Sequence, residues 1–323
     1  MSCPALSIII TTKNEEKNIG NCLESIKAQT YPQEKIEIIV VDNNSSDKTK
    51  EIAKEYTKKI YNKGPERSAQ RNYGMIEKAK GKYVMFLDAD MILSATVIEK
   101  AIEKLESSSA TLVALYIPEI VLGDSFWNQV RRFERSFYDG TAIDCVRIIR
   151  KDVFEKVSGF DLSLTGPEDW DLDKKVRQAR KAAVLCKYNF EEINKKLKRI
   201  EISGNMVAKG DRNSLVKLSE IKKLMNLIKE PVVYHNETEF NLKKYLKKKR
   251  YYSRSFDKYI KKWDKNDPDI KKQFGLWYRY FGVFIENGKW KKLIKHSFLT
   301  MGMYFLRGAV GIIYLINLNE SNR

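Results

Sequence analysis

The chain has 323 residues and a hydrophobic fraction of 43%, enough for one large α/β domain with a core and an appendage. Its four cysteines are scattered and it has only two histidines, which argues against a disulfide framework, a zinc pattern or a histidine-rich metal site and fits a reducing interior. A net charge of +18 points to an acidic partner: nucleic acid, an anionic membrane or a phosphorylated substrate.

The first apolar run, Leu6–Ile10, is too short for a signal peptide, lacks its basic lead-in, and reads as a buried strand. After it, Ile19, Cys22, Leu23 and Ile26 recur at helical spacing. Ile36–Asp42 reads as a second strand, and Ser45, Ser46 and Asp47 offer caps for the next helix. A third unit runs from Arg67 through "YVMFLDAD", and from Ser94 a helix places Val97, Ile98, Ala101, Ile102 and Leu105 on one face. Ala110–Ile117 is a further strand. Solid apolar strands with helices between them predict a mostly parallel sheet covered on both faces, with ligands at the carboxyl ends of its strands. The segment from Trp127 to Asp173 is dense in polar punctuation. Residues 181–230 read as a Lys-rich insertion, and a short strand ending in His235 follows Pro231.

Asp88 and Asp90 close the apolar run Tyr83–Leu87. One Asp there would be ordinary strand punctuation. Two at i, i+2 point the same way on an extended segment and repel each other unless a cation lies near, and oxygen ligands suit Mg²⁺ or Mn²⁺. No GxGxxG and no GxxxxGK[ST] occurs, so neither a Rossmann glycine loop nor a P-loop is expected to hold phosphates.

"SIIITTKNEEKNIGNCLESI", "EIIVVDNNSSDKT", "RNYG", "YVMFLDAD", "SGFD" and "GPEDWDL", in this order over residues 5–180, with "YHNE" near 235, resemble the inverting family 2 glycosyltransferases of the GT-A fold. The resemblance implies metal-dependent sugar transfer from a nucleotide sugar, UDP- or GDP-linked, with Mn²⁺ or Mg²⁺. It makes Asp88-Ala89-Asp90 the DxD motif, with Asp90 the main metal ligand and Asp88 near the metal or the donor. Asp42 would contact the donor's base or ribose. Thr11, Lys13 and Glu15 would line the nucleotide, although Thr11 and Lys13 replace the usual Pro and Tyr and leave the base open. Arg71 and Asn72 match an Arg-Asn pair, with Arg71 in reach of the diphosphate. Asp169 would be the base, Glu168 would orient the acceptor, and His235 would approach the metal or diphosphate. Trp170 reads either as a sugar platform for the acceptor or as plain packing. The other reading of Glu168-Asp169 is acidic charge at a helix N-terminus.

The division expected is a GT-A catalytic domain over residues 1–240 and a basic, aromatic helical extension over 241–323. Between Asn241 and Thr300, 18 Lys and Arg face five Asp and Glu. Phe298–Leu318 is apolar for about 21 residues apart from Thr300, Arg307 and Asn317, long enough to span a membrane, with Arg307 near its middle. Basic residues interleaved with Tyr and Trp favour attachment to an anionic surface; a span or a core helix remain the alternatives. His296 reads as a solvated surface group. The expected acceptor is a lipid-linked glycan, polyprenyl phosphate or polysaccharide at the cytoplasmic face of the membrane, with no nucleic-acid partner. The competing readings are a basic nucleic-acid binder, a nucleotidyltransferase on a similar sheet, and a catalytically silent scaffold.

Overall fold

A computed structural model describes residues 4–202, 223–238 and 240–321. Its centre is a seven-stranded sheet of β1 (Leu6–Thr12), β2 (Ile36–Asp42), β3 (Ile60–Asn62), β4 (Tyr83–Asp88), β6 (Leu112–Tyr116), β8 (Ile148–Arg150) and β9 (Lys181–Val184), ordered β3-β2-β1-β4-β8-β6-β9. Only β8 runs against the others. The sheet therefore reads as mostly parallel, and every residue of β1 is buried because both its faces are covered. One face carries Leu6, Ile8, Ile10 and Val40 against helices α1 (Ile19–Lys27) and α4 (Val97–Ser107). The other carries Ile9, Val41, Val84 and Phe86 against Met75, Phe154, Phe160 and Leu172. A Cβ on Gly74 would lie 2.6 Å from Ile9, so only glycine lets the chain after α3 (Arg67–Asn72) settle on the sheet.

The strand expectations hold where the apolar runs are long and differ where they are short. Residues 181–184 are the outer strand of the central sheet, so the Lys-rich segment departs from the domain only after them. Helix α8 (Phe190–Ile202) then buries Phe190, Ile193 and Leu197, and the rest of the expected insertion lies outside the described residues until 223.

A second sheet was not expected. β5 (Met91–Leu93), β10 (Val233–Asn236) and β7 (Glu119–Leu122) associate with β10 in the middle, and His235 pairs with Met91. This small sheet returns the chain to the carboxyl end of β4 after 145 residues. The C-terminal helices share a hydrophobic cluster with α5 (Phe126–Arg135): Val130, Phe133 and Phe137 meet Tyr278, Val283, Phe284, Met303 and Leu306.

Candidate active site

The strand order reverses between β1 and β4, the switch point at which open α/β sheets bind ligands. Register places Thr11 opposite Asp88 and Thr12 opposite Asp42 at those carboxyl ends. A cleft of about 1770 Å³ opens there, and Asp88, Asp90, Asp169, Trp170 and His235 line it.

Arg71 organises the cleft from behind. Its side chain is buried between the rings of Phe86 and Phe160, 4.4 and 5.1 Å from the guanidinium. Nη1 donates to Asp169 Oδ1 at 2.8 Å and Nη2 to Asp88 Oδ1 at 2.9 Å. Thr11 Oγ1 adds a bond to Asp88 Oδ1 at 3.2 Å. Burial opposes the charge on Asp88, but Arg71, Arg67 and Arg147 outweigh it and hold the carboxyl well below its usual range.

Helix α7 (Glu168–Ala179) begins with the acidic pair. The two carboxylates have different surroundings. The Glu168 side chain is 1% exposed and accepts from Arg67 Nη2 at 2.7 Å and from the Gly166 amide. That of Asp169 is 32% exposed and faces the cleft. Burial and the adjacent Asp169 raise the pKa of Glu168, while Arg67 opposes this. Gly166 has φ +108°, and a Cβ there would lie 2.5 Å from the Tyr252 carbonyl; glycine is what lets the loop approach the C-terminal region.

Asp90 lies beside His235. Its Oδ2 is 3.2 Å from His235 Nε2, and its Oδ1 is buried without a hydrogen-bond partner among the described residues. His235 Nδ1 is 2.8 Å from Glu119 Oε1, and Glu119 Oε2 takes Arg147 at 2.8 Å and Arg135 at 3.1 Å. Burial works against a charged His235, but Asp90 and Glu119 on either side raise its pKa well above the ordinary value.

The other expected residues have these surroundings. Asp42 is fully buried, and both its oxygens accept from Ser45, at 2.5 Å from the hydroxyl and 2.7 Å from the amide. Asn72 exchanges two bonds of 2.8 Å with the backbone of Phe160, holding the "SGFD" loop against α3. Lys13 is exposed on the loop after β1. Glu15 accepts from Asn18 at 2.8 Å, and burial raises its pKa, with Asp90 and Asp88 adding to the rise. Trp170 donates to the Ile143 carbonyl at 3.3 Å and stacks on Phe256 with centroids 6.2 Å apart, so its ring is engaged by protein. His296 packs between Phe133 and Phe190, 5.6 and 5.5 Å from their rings, and is not the free surface group expected.

Residues 7–159 match Glycosyl transferase family 2. Over this stretch the chain is similar to that family, and its fold is of the GT-A type. Its relatives include the glycosyltransferase AglE of Haloferax volcanii, 36% identical over 117 residues, covering 34% of this chain and 38% of that protein. An uncharacterized glycosyltransferase of Rickettsia typhi is 30% identical over 185 residues, 52% of this chain and 57% of that one. The chain thus covers less than two thirds of either relative. Among solved structures, the mannosyltransferase PcManGT from Pyrobaculum calidifontis, in complex with GDP-Man and Mn²⁺, aligns with a TM-score of 0.53 at 16% identity. The alignment takes in 99% of this chain and 87% of that one.

The cleft contains residues that the sequence did not single out. Arg67 stands four residues before Arg71 on the same helix face, a spacing that was legible. Glu119 carries no local signal, because only β7 and β10 bring it behind His235. Lys248 and Tyr252 come from the helix Leu242–Ser253; Tyr252 lies under Arg67 at 5.0 Å, and Lys248 feels both Asp88 and Asp90. Inside a Lys-rich run nothing distinguishes Lys248 from its neighbours.

Proposed function

We propose that the protein moves a sugar from a UDP- or GDP-linked donor to a lipid-linked glycan, polyprenyl phosphate or polysaccharide, with inversion and with Mn²⁺ or Mg²⁺ as cofactor. The observation that carries this is the convergence of a strand-end pair, Asp88 and Asp90, with a helix-start carboxylate, Asp169, in one cleft. The first pair suits the donor and the second the acceptor. In support, the Pyrobaculum mannosyltransferase holds GDP-Man and Mn²⁺.

The residues fit a divalent ion shared with a diphosphate. The buried Asp90 Oδ1 lacks a partner, and the described residues hold no group of three His, Cys, Asp or Glu that would cage an ion alone. Mg²⁺ and Mn²⁺ are commonly held by one or two carboxylates, with water and phosphate completing the shell. Asp90 and Asp88 would hold it, with His235 fixed beside them by Glu119. When bound, the ion neutralises the diphosphate leaving group as a Lewis acid.

The protein's own groups do the rest. Asp169 accepts the proton of the acceptor hydroxyl as that oxygen bonds to the anomeric carbon on the face opposite the leaving nucleoside diphosphate, whose bond to the sugar breaks. Arg71 fixes its orientation relative to Asp88. Glu168, out of reach of the cleft, is a positioning residue that secures Arg67 and the start of α7. We assign residues 1–240 to catalysis and 241–323 to membrane-surface association at the cytoplasmic side. Ser297–Leu315 is long and apolar enough to cross a membrane and is only 22% buried, which disfavours a core helix. Its Arg307 lies 3.1 Å from Glu134 of α5, which favours a helix lying on the surface with one face docked.

The test is thermal stability with UDP, GDP, CMP and dTDP, each with and without Mn²⁺ or Mg²⁺. A nucleotide at a hundred times its Kd adds about 2.7 kcal/mol. A metal-dependent shift with one nucleotide, absent in Asp90→Ala, is the expected result. No shift with any of them overturns the reading, and pyrophosphate release from a nucleoside triphosphate would favour the nucleotidyltransferase.

A further inference from the structure

Besides its carboxylates, the cleft is lined by cations. Arg131 of α5, Lys249 of the helix Leu242–Ser253, Arg279 of the π-turn Tyr278–Gly282 and Arg307 of the helix Ser297–Ser321 all face it. Glu134 is buried among them. It accepts from Arg131 Nη1 at 3.0 Å and from the Tyr138 hydroxyl at 2.6 Å, with Arg307 Nε 3.1 Å away. Glu237 takes the other donors of Arg131 at 3.3 and 3.2 Å. These two carboxylates thus pair with only two of the four cations, Arg131 and Arg307. Among the described residues no carboxylate lies within ion-pair distance of Lys249 or Arg279. These two face rings instead: Lys249 Nζ lies 5.3 Å from Tyr245, and the Arg279 guanidinium lies 5.8 Å from Trp170.

Both are half-buried, so a ligand in the cleft can reach them. Desolvation, with Arg131 adding to it, pushes the Lys249 ammonium down to about 7; desolvation and then Arg307 lower Arg279. Excess positive charge held in a cleft is unfavourable until an anion compensates it. The same cleft is also lined by the apolar side chains of Phe256, Phe274, Leu276, Val310, Ile312 and Leu315. Ile312 and Leu315 are each 61% exposed.

We propose that these cations form a second anion site, which takes the phosphate or diphosphate of an acceptor carried on an apolar chain. The phosphate sits between Lys249 and Arg279, and the chain lies along Val310, Ile312 and Leu315. This rests on reading the carboxylates as a transferase site. Trp170, under Arg279, adjoins Asp169, so the site delivers the acceptor beside the carboxylate that would take its proton. Neighbouring residues on one helix then serve different anions: Lys248 faces the Asp88/Asp90 side and Lys249 the acceptor side.

The test uses farnesyl diphosphate, farnesol and inorganic pyrophosphate on the full chain, in EDTA to suppress metal-dependent donor binding. Farnesyl diphosphate should bind at least about tenfold more tightly than either fragment, since each fragment forfeits half of the contacts. Lys249→Gln with Arg279→Gln should abolish that advantage over farnesol, and Ile312→Ser with Leu315→Ser the advantage over pyrophosphate. Both variants should keep the metal-dependent nucleotide shift of the parent, which also shows that they fold. Equal binding of pyrophosphate and farnesyl diphosphate would reduce the site to one for free phosphate and overturn the lipid assignment. Unchanged affinity in the Lys249/Arg279 variant, or displacement of farnesyl diphosphate by UDP or GDP in EDTA, overturns the site itself. A parent that shows no nucleotide shift at all, yet binds farnesyl diphosphate through Lys249 and Arg279, would instead overturn the donor reading and leave the anion site standing.

Discussion

Asp88 and Asp169, 81 positions apart in the chain, share one guanidinium: Arg71 reaches Asp169 at 2.8 Å and Asp88 at 2.9 Å. The end of a strand and the start of a helix are thereby fixed to each other. A planar fork spans two carboxylates; an ammonium is a point donor and cannot replace it. Arg71→Lys should therefore separate the two carboxylates. Leaving one of these charge-assisted hydrogen bonds unmade costs about 1–3 kcal/mol. We expect a fall of that size in unfolding free energy from urea melts, together with loss of transfer. A Lys variant of parental stability would mean that the bridge does not hold the site together.

The two acidic residues at the start of α7 should separate in kinetics. Asp169→Asn leaves Glu168, Arg67, Asp88 and Asp90 in place, so nucleotide-induced stabilisation should persist. Removal of a general base costs 10²–10⁴ in rate. Glu168→Gln leaves the Asp169 carboxylate but takes from Arg67 its buried counter-charge. It should lower thermal stability, with a smaller loss in kcat than Asp169→Asn. The reverse order of kcat losses would transfer the base to Glu168.

Asp173 offers a pH-dependent test away from the cleft. It is 1% exposed; one oxygen accepts from Arg177 at 2.7 Å and the other has no hydrogen-bond partner among the described residues. Burial pushes its carboxyl up to about 6 despite Arg177. The folded state then holds a proton that the unfolded chain has already released, so this group's contribution to stability falls as pH rises from about 4 to about 6 and levels off above. The loss is on the order of 3 kcal/mol. Comparing Asp173→Asn with the parent in urea melts at pH 4, 5 and 7, the variant should gain relative to the parent as pH rises. A pH-independent difference would remove Asp173 as the source.

The long apolar runs made β1, β2 and β4 legible, because a strand covered on both faces cannot tolerate polar residues. The pair ending β4 was legible for the converse reason: two carboxylates two residues apart repel each other unless a positive charge lies near. The single Asp42 carried less signal, and the sequence did not show that both its oxygens bond to Ser45 in a local turn. β5, β7 and β10 have three or four residues each and show no periodicity, so the sheet that brings Glu119 to His235 had no sequence signature. The cations facing Glu134 come from four elements that the chain visits far apart. Composition reported their excess charge and could not report their meeting.

The helix Ser297–Ser321 divides its faces. Met303, Leu306 and Arg307 are buried towards α5, where Arg307 meets Glu134 and Tyr138. Phe298, Met301, Phe305, Ile312 and Leu315 lie on the exposed side at helical spacing, and Leu276, Trp277, Trp290 and Ile294 add to the uncovered apolar surface. Lys291 follows Trp290 directly in the chain, while Lys289, Lys292 and Lys295 are bound to the Phe137 carbonyl, the Ser136 carbonyl and Glu191. Such a surface suits the plane of an anionic bilayer, with each nearby Lys or Arg contributing about 1 kcal/mol at low salt. The protein should sediment with vesicles rich in phosphatidylglycerol, less with neutral phosphatidylcholine, and be released as salt rises and shortens the screening length. Phe298→Ser with Phe305→Ser removes about 3 kcal/mol or more of apolar insertion and should abolish sedimentation without altering the nucleotide shift. A helix that crossed the bilayer would behave differently, since it would resist release by salt and be indifferent to headgroup charge. Retention of vesicle binding in the double Ser variant at high salt would therefore replace surface attachment with a span.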